Sequence, residues 1–304
     1  MAEGLRYKDK VTIITGGSSG IGKGCLQVFV RNGAKVVFCS NDENQGQAAE
    51  KELCESEKGE ATFVYADMCS EEDVKNLVEQ TVKRYGKIDC LINNAGTHPA
   101  FKPIDDFTSD DFRKLFDLNV LGYFRASKYA LPYLRKTEGN IINMASMSGQ
   151  HSEKFAFTYA ATKGAVSAMT RALAIDEAMY NVRVNAVSPG PTRTPLLVEV
   201  VNQSSDPKAR MQELENHSVL GRMGEPEEVA LTCLYLASDA TFCTGEEIQV
   251  CGGSGLNYAN KNMRIVTKNK FDTDALSCIK DHHEHTGHRG TFRDLSSPGS
   301  SRNQ

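Results

Sequence analysis

The chain has 304 residues, 40% hydrophobic and 24% charged, enough apolar material for one large α/β domain. A formal net charge of -4 gives no electrostatic reason to expect a nucleic-acid partner or an anionic membrane surface. No run of about 18 apolar residues exists to span a bilayer, and MAEGLRYKDK at the start lacks the apolar stretch of a secretory signal. The nine cysteines contain no CxxC pair, which points to reduced, mostly buried thiols in a cytoplasmic protein.

Seven short apolar runs follow one another along the chain: VTIIT (11–15), KVVFC (35–39), ATFVYA (61–66), IDCLIN (88–93), NIINMA (140–145), VRVNAV (182–187) and EIQV (247–250). Their nearly continuous apolarity suits strands covered on both faces, hence a parallel sheet. Helical patterns fill the gaps. Ser70 and Asp73 have the spacing of a capping box ahead of VKNLVEQTVKRY, and 225–239 places a proline in the first turn of an apolar-striped helix. Strand alternating with helix predicts a single doubly wound α/β domain, with a mainly parallel seven-stranded sheet and helices on both faces, over residues 1–260. Residues 261–304 are polar and are expected to be a disordered tail. Its His282, His283, His285 and His288 have no further ligand set nearby and read as solvated, so no metal site is expected.

Thr15-Gly16-Gly17-Ser18-Ser19-Gly20-Ile21-Gly22 follows the first strand and opens a helix. Glycines let the backbone turn tightly against a pyrophosphate, and the helix start offers N–H groups and positive dipole. Dinucleotide binding is the reading, with the spacing G-x-x-x-G-x-G. The residue ending the second strand chooses between the nicotinamide cofactors: an acid favours NAD, a nearby arginine NADP. That position holds Ser40, followed by Asn41, Asp42 and Glu43, and the acids just beyond tilt the expectation towards NAD.

Ser146 follows the strand NIINMA, with Tyr159 thirteen residues on and Lys163 four beyond that. The last two share a helix face. Hydride exchange at an alcohol or ketone needs a proton moved at oxygen. A phenol with a pKa of about 10 is a poor base until a neighbouring ammonium lowers it. Ser146 can steady the substrate oxygen.

Together these stretches resemble the classical short-chain dehydrogenase/reductase family, which carries the Rossmann fold, across about residues 8–255. The pieces are TGGSSGIG (15–22), Asp67, NNAG (93–96), Asn119 in DLNVLG, Ser146, YAATK (159–163) and SPGPTRT (188–194). NNAGTHP, ALPYLRK, TKGAVSAMT and FCTG are similar to the 17β-hydroxysteroid dehydrogenase type 14 branch. The resemblance implies Tyr159 as acid/base, Lys163 as its partner, Ser146 as oxyanion positioner and Asn119 as the holder of a relay water. It implies Asp67 at adenine, Asn93 bracing the sheet near the cofactor and Thr194 on the carboxamide. Thr15, Gly16, Ser19, Gly20, Ile21, Gly22, Ser40, Ala95, Gly96, Pro189, Gly190 and Thr192 complete the implied cofactor set, with Tyr159 and Lys163. A homotetramer is implied as well.

His98 and Glu153 are the polar substrate candidates, and 194–221 reads as a lid whose Leu196, Leu197, Val200 and Val201 offer an apolar wall. The expected activity is hydride transfer between nicotinamide and a hydrophobic, hydroxysteroid-like secondary alcohol or ketone. A sugar or polyol dehydrogenase, kept open by NQSS at 202–205, and a silent nucleotide-binding scaffold are the alternatives.

Overall fold

The computed structural model describes residues 5–53 and 58–256. Seven strands form one sheet: β1 (Val11–Thr15), β2 (Lys35–Ser40), β3 (Glu60–Tyr65), β4 (Cys90–Asn93), β5 (Asn140–Met144), β6 (Arg183–Pro189) and β7 (Glu247–Val250). They are ordered β3-β2-β1-β4-β5-β6-β7, and every pairing is parallel. Chain order reverses between β1 and β4, so the crevice of a doubly wound sheet opens at their carboxyl ends.

Both faces are covered, as the continuous apolar runs require. On one side Ile14, Phe38 and Ile92 pack against Leu26 and Phe29 of α1 (Gly20–Arg31), and against Val229 and Leu234 of the helix Pro226–Ser238. On the other, the alternate residues Ile13, Val37, Leu91 and Ile141 meet Leu77 of the helix Glu71–Tyr85 and Leu134 of Gly122–Thr137. Each such fully buried aliphatic side chain contributes about 1.5–3 kcal/mol. In chain order the remaining helices are α2 (Glu43–Leu53), α3 (the Glu71–Tyr85 helix), α4 (Ser109–Phe116), α5 (Gly122–Thr137), α6 (Met147–His151), α7 (Phe157–Glu177), α8 (Pro195–Asn202), α9 (Pro207–His217) and α10 (Pro226–Ser238).

Local signals fix the helix ends. Ser70 accepts a hydrogen bond from Asp73 N at 3.2 Å, but the Asp73 carboxylate turns away to Asp67 N at 3.0 Å. The expected capping box is therefore half made, and its acid instead orders the turn after β3. Gly86 ends α3 at φ 74°, a conformation that a side chain disfavours. β6 runs two residues past VRVNAV because Ser188 and Pro189 still find partners in β7. Among the described residues no helix is long and apolar enough to cross a membrane, and no group of His, Cys, Asp and Glu is arranged to hold a metal. The polar segment 261–304 and its four histidines lie outside the described residues.

Candidate active site

A cleft of about 780 Å³ lies over the carboxyl ends of the strands. Its floor begins at the glycine turn, where Gly16 and Gly20 adopt φ 67° and 54°. Gly22 admits no side chain, since a Cβ there would lie 2.0 Å from the Gly16 carbonyl oxygen. Ser19 stands at the N-cap of α1, yet its side chain makes no capping hydrogen bond. The helix start therefore keeps donors for an anion in the cleft. Thr15 is buried beneath the turn, and its Oγ1 accepts from Asn94 N at 2.9 Å and Ala95 N at 3.0 Å. Asn94 returns the tie, donating from Nδ2 to Thr15 O at 2.9 Å and Gly16 O at 3.2 Å.

At the ribose end Ser18 Oγ donates to Ser40 Oγ at 2.9 Å. Ser40 Oγ also accepts from Asp42 N at 3.1 Å, and Asp42 Oδ1 accepts from Gln45 N at 2.9 Å. The first acid beyond β2 is thus engaged at the start of α2. Asp67 lines the cleft and accepts from Cys69 N at 2.9 Å. At the opposite end Pro189, Gly190, Thr192 and Thr194 follow β6; Thr194 Oγ1 accepts from Leu197 N at 3.2 Å and so opens α8.

Tyr159 and Lys163 project from α7 into the same cleft, beside Ser146. Burial pushes the Tyr159 phenol up to about 12, and a hydrogen bond with Ser146 works against it. Burial also pushes the Lys163 amine down to about 7. The expected charge pairing is therefore not direct: Lys163 Nζ donates to Met144 O at 2.7 Å and lies 5.7 Å from the centre of the Tyr159 ring. Desolvation dominates at both groups: it keeps the phenol neutral and brings the amine to where charged and neutral forms coexist near pH 7.

Asn119 sits in a π-helical turn, Asp117–Leu121, between α4 and α5. Such turns insert a residue into a helix and recur at functional sites. Asn119 Oδ1 accepts from Thr97 N at 3.0 Å, while Nδ2 donates to Thr97 O at 3.0 Å and Thr162 Oγ1 at 3.2 Å. It thereby ties the chain after NNAG to α7.

The remaining residues singled out in the sequence divide in two. Gly16, Ser19, Gly20, Ile21, Ser40, Asp67, Ala95, Gly96, His98, Ser146, Glu153, Tyr159, Lys163, Pro189, Gly190, Thr192 and Thr194 line the cleft. Thr15, Gly22, Asn93 and Asn119 stand behind its wall. Asn93 is fully buried and donates to Ser127 Oγ at 3.2 Å and Asn143 Oδ1 at 2.9 Å, so it braces the sheet while Asn94 faces the cleft. Leu196, Leu197 and Val200 line the cleft as an apolar wall, whereas Val201 turns away from it and packs with Leu214 and Met223. Sequence reading passed over Phe101, whose ring meets that of His98 at 4.7 Å between centres and a tilt of 48°, and Arg210, which is paired with Glu153. Only long-range geometry joins that last pair, 57 residues apart.

The chain belongs to the short-chain dehydrogenase/reductase family: residues 16–255 match the family model described as enoyl-(acyl carrier protein) reductase. It is 48% identical over 261 residues to L-fucose dehydrogenase of Bos taurus, covering 86% of this chain and 95% of that protein. The solved 3-ketoacyl-(acyl-carrier-protein) reductase of Brucella melitensis, complexed with NADH, is 30% identical with a TM-score of 0.75, covering 82% of this chain and 99% of that one. Aldohexose dehydrogenase of Thermoplasma acidophilum is 31% identical with a TM-score of 0.74, covering 86% of this chain and 98% of that one. The protein is an oxidoreductase of the NAD(P)-using kind. The hydroxysteroid-like expectation finds no support among these relatives, two of which are named for sugars.

Proposed function

We propose that this protein is a sugar dehydrogenase, oxidising a hydroxyl of L-fucose or a similar aldohexose with NAD. The observation that carries the reading is the convergence of Ser146, Tyr159 and Lys163 on the cleft that the glycine turn opens. Kinship to L-fucose dehydrogenase supports the sugar, and His98 and Glu153 line the cleft together with Ser148, His151, Ser152 and His217, so hydroxyls can find polar partners there. A hydrophobic-alcohol dehydrogenase would turn over a steroid or a long-chain alcohol best, and a silent scaffold would turn over nothing.

The residues fit a nicotinamide dinucleotide: a Cβ on Gly17 or Gly22 would lie 2.6 or 2.0 Å from its nearest neighbour, which keeps the turn bare, and Ser18, Ser19 and Ser40 line its polar end. When bound, that group supplies the acceptor or donor of hydride. Ser146 holds the substrate oxygen, and Tyr159 exchanges a proton with it. Burial keeps Tyr159 a neutral phenol, so in oxidation it takes the substrate's proton while its own goes to the neutral amine of Lys163, which becomes the ammonium, and in reduction both transfers reverse. Asn119 acts from behind the wall by holding Thr97 and Thr162 in place.

The NAD preference rests on what surrounds Ser40. Among the described residues lining the cleft, Lys163 is the only lysine or arginine, so a 2′-phosphate gains no cationic partner at the ribose end, where Asp42 also stands. Assembly as a homotetramer belongs to the same reading, supported by Phe124 on α5 and Ile175 on α7, both left exposed.

The test is a spectrophotometric screen at the nicotinamide band with L-fucose, D-glucose, a hydroxysteroid and a long-chain secondary alcohol. Turnover highest on a sugar supports the reading; preference for the steroid, or no turnover on any substrate, overturns it.

A further inference from the structure

Helix α9 is joined to the Tyr159 phenol by a chain of ring contacts, with both ring pairs tilted at 45–48°. The Arg210 guanidinium lies 4.9 Å from the centre of the Phe101 ring, Phe101 lies 4.7 Å from His98, and His98 lies 4.1 Å from Tyr159. Arg210 also pairs with Glu153, in the loop between α6 and α7, and with Glu213 on its own helix at 2.8 Å. Its side chain is only 19% exposed, so the pair is better shielded than a surface bridge.

A second cavity, of about 440 Å³, lies against this arrangement. Phe101, Glu153, Val200 and His217 line both it and the catalytic cleft, whereas Arg210 lines only the second. The wall between the two spaces is therefore made of few side chains, and Arg210 anchors two of them: it holds the Glu153 carboxylate by charge and lies as a cation over the Phe101 ring. Stripped of its guanidinium, Glu153 would be left as a partly buried carboxylate without its partner and would turn towards water, and Phe101 would lose its cover.

We propose that the Arg210–Glu153 pair is a partition that closes the substrate end of the cleft, making Arg210 a positioning residue that limits substrate length. The limit suits a compact, hydroxyl-bearing ring and excludes a long chain. This deepens the sugar reading in giving it a physical basis for size, but the partition is a property of the wall and is measured without any sugar.

The experiment titrates the enzyme–NADH complex with a series from 2-butanone to 2-decanone, reading NADH fluorescence. Where an apolar chain continues to be buried, each methylene gains roughly threefold to fourfold in affinity. In the wild type the gain is expected to stop partway along the series. In Arg210→Ala and, from the other side of the wall, Glu153→Ala, it is expected to continue, so that the 2-decanone to 2-butanone affinity ratio rises at least tenfold. Arg210→Lys, which keeps charge and bulk, should retain the wild-type stop. A wild-type affinity that rises through the whole series overturns the partition. So does a chain-length dependence that is the same in wild type and both alanine variants, including one with no binding at all. Oxidation of L-fucose by the wild type is measured separately, so failure of the sugar reading leaves the ketone series readable.

Discussion

The imidazole of His98 lies against the phenol of Tyr159, with ring centres 4.1 Å apart and planes inclined at 45°. His98 Nδ1 is 2.6 Å from the Pro99 carbonyl, which only accepts, so Nδ1 is the donor and Nε2 is left as an acceptor. Burial holds the ring below its ordinary pKa and hence neutral at neutral pH. A substrate hydroxyl near Tyr159 can therefore donate to Nε2. His98→Phe, which keeps a ring between Phe101 and Tyr159 but deletes that acceptor, is expected to lower kcat/KM about tenfold, as loss of one hydrogen bond would. Steady-state kinetics should place the change mainly in KM; an unaltered KM removes His98 from the substrate contacts.

Tyr159→Phe is expected to cut kcat by ~10²–10⁴, the usual contribution of a positioned acid/base. Binding of NADH, followed by its fluorescence, should persist within a few-fold of wild type. Normal turnover by this variant would assign the proton transfer elsewhere.

Lys163 gives a pH signature. Its pKa falls from 10.5 in the unfolded chain to about 7 in the fold. Between those values the unfolded state binds more protons, so the stability penalty of burying Lys163 shrinks as pH rises from 7 towards 10.5. Lys163→Met removes the group, so its Tm should exceed that of the wild type most near pH 7 and the gap should narrow on raising the pH. Alcohol oxidation by the wild type should climb through about pH 7 as the amine becomes free to take a proton. A flat wild-type profile across that range would count against the relay.

Ser40→Asp places a carboxylate beside Ser18, where a 2′-phosphate would lie. The ratio of kcat/KM for NAD over NADP is expected to rise tenfold or more, each tenfold being about 1.4 kcal/mol of like-charge repulsion and lost hydroxyl contact. Measuring both cofactors in both proteins tests it, and an unmoved ratio shows that Ser40 does not face the ribose.

Ile175 in the last turn of α7 and Met179 in the 3-10 turn after it, Ala178–Tyr180, are both 78% exposed, an unusual place to leave aliphatic bulk. Ile175→Glu with Met179→Glu is expected to reduce the mass measured by light scattering on a sizing column from a tetramer to a smaller species. Wild type already eluting as a monomer would defeat the assembly proposal.

The strands were legible because both sheet faces are apolar: Ile13 and Ile14 point opposite ways and each meets a hydrophobic helix. The glycine turn and the Tyr159–Lys163 pair were legible because local spacing alone sets their geometry. The π-turn around Asn119 was not, since no residue type announces a residue inserted between α4 and α5. Asn93 and Asn94 are chemically the same, and only the pleat of β4 decides which one is inside the sheet. Arg210 stayed hidden for a different reason: a charge on a polar helix normally reads as solvated, and its partner comes from another part of the chain.

Thr15 fastens the tip of β1 to the chain leaving β4, on either side of the point where strand order reverses. The two banks of the dinucleotide groove are thereby riveted together before anything enters. Adaptation to a ligand must then be concentrated at the other end, among α8 and α9, so hydrogen exchange should slow there on substrate binding and hardly change along the riveted edge.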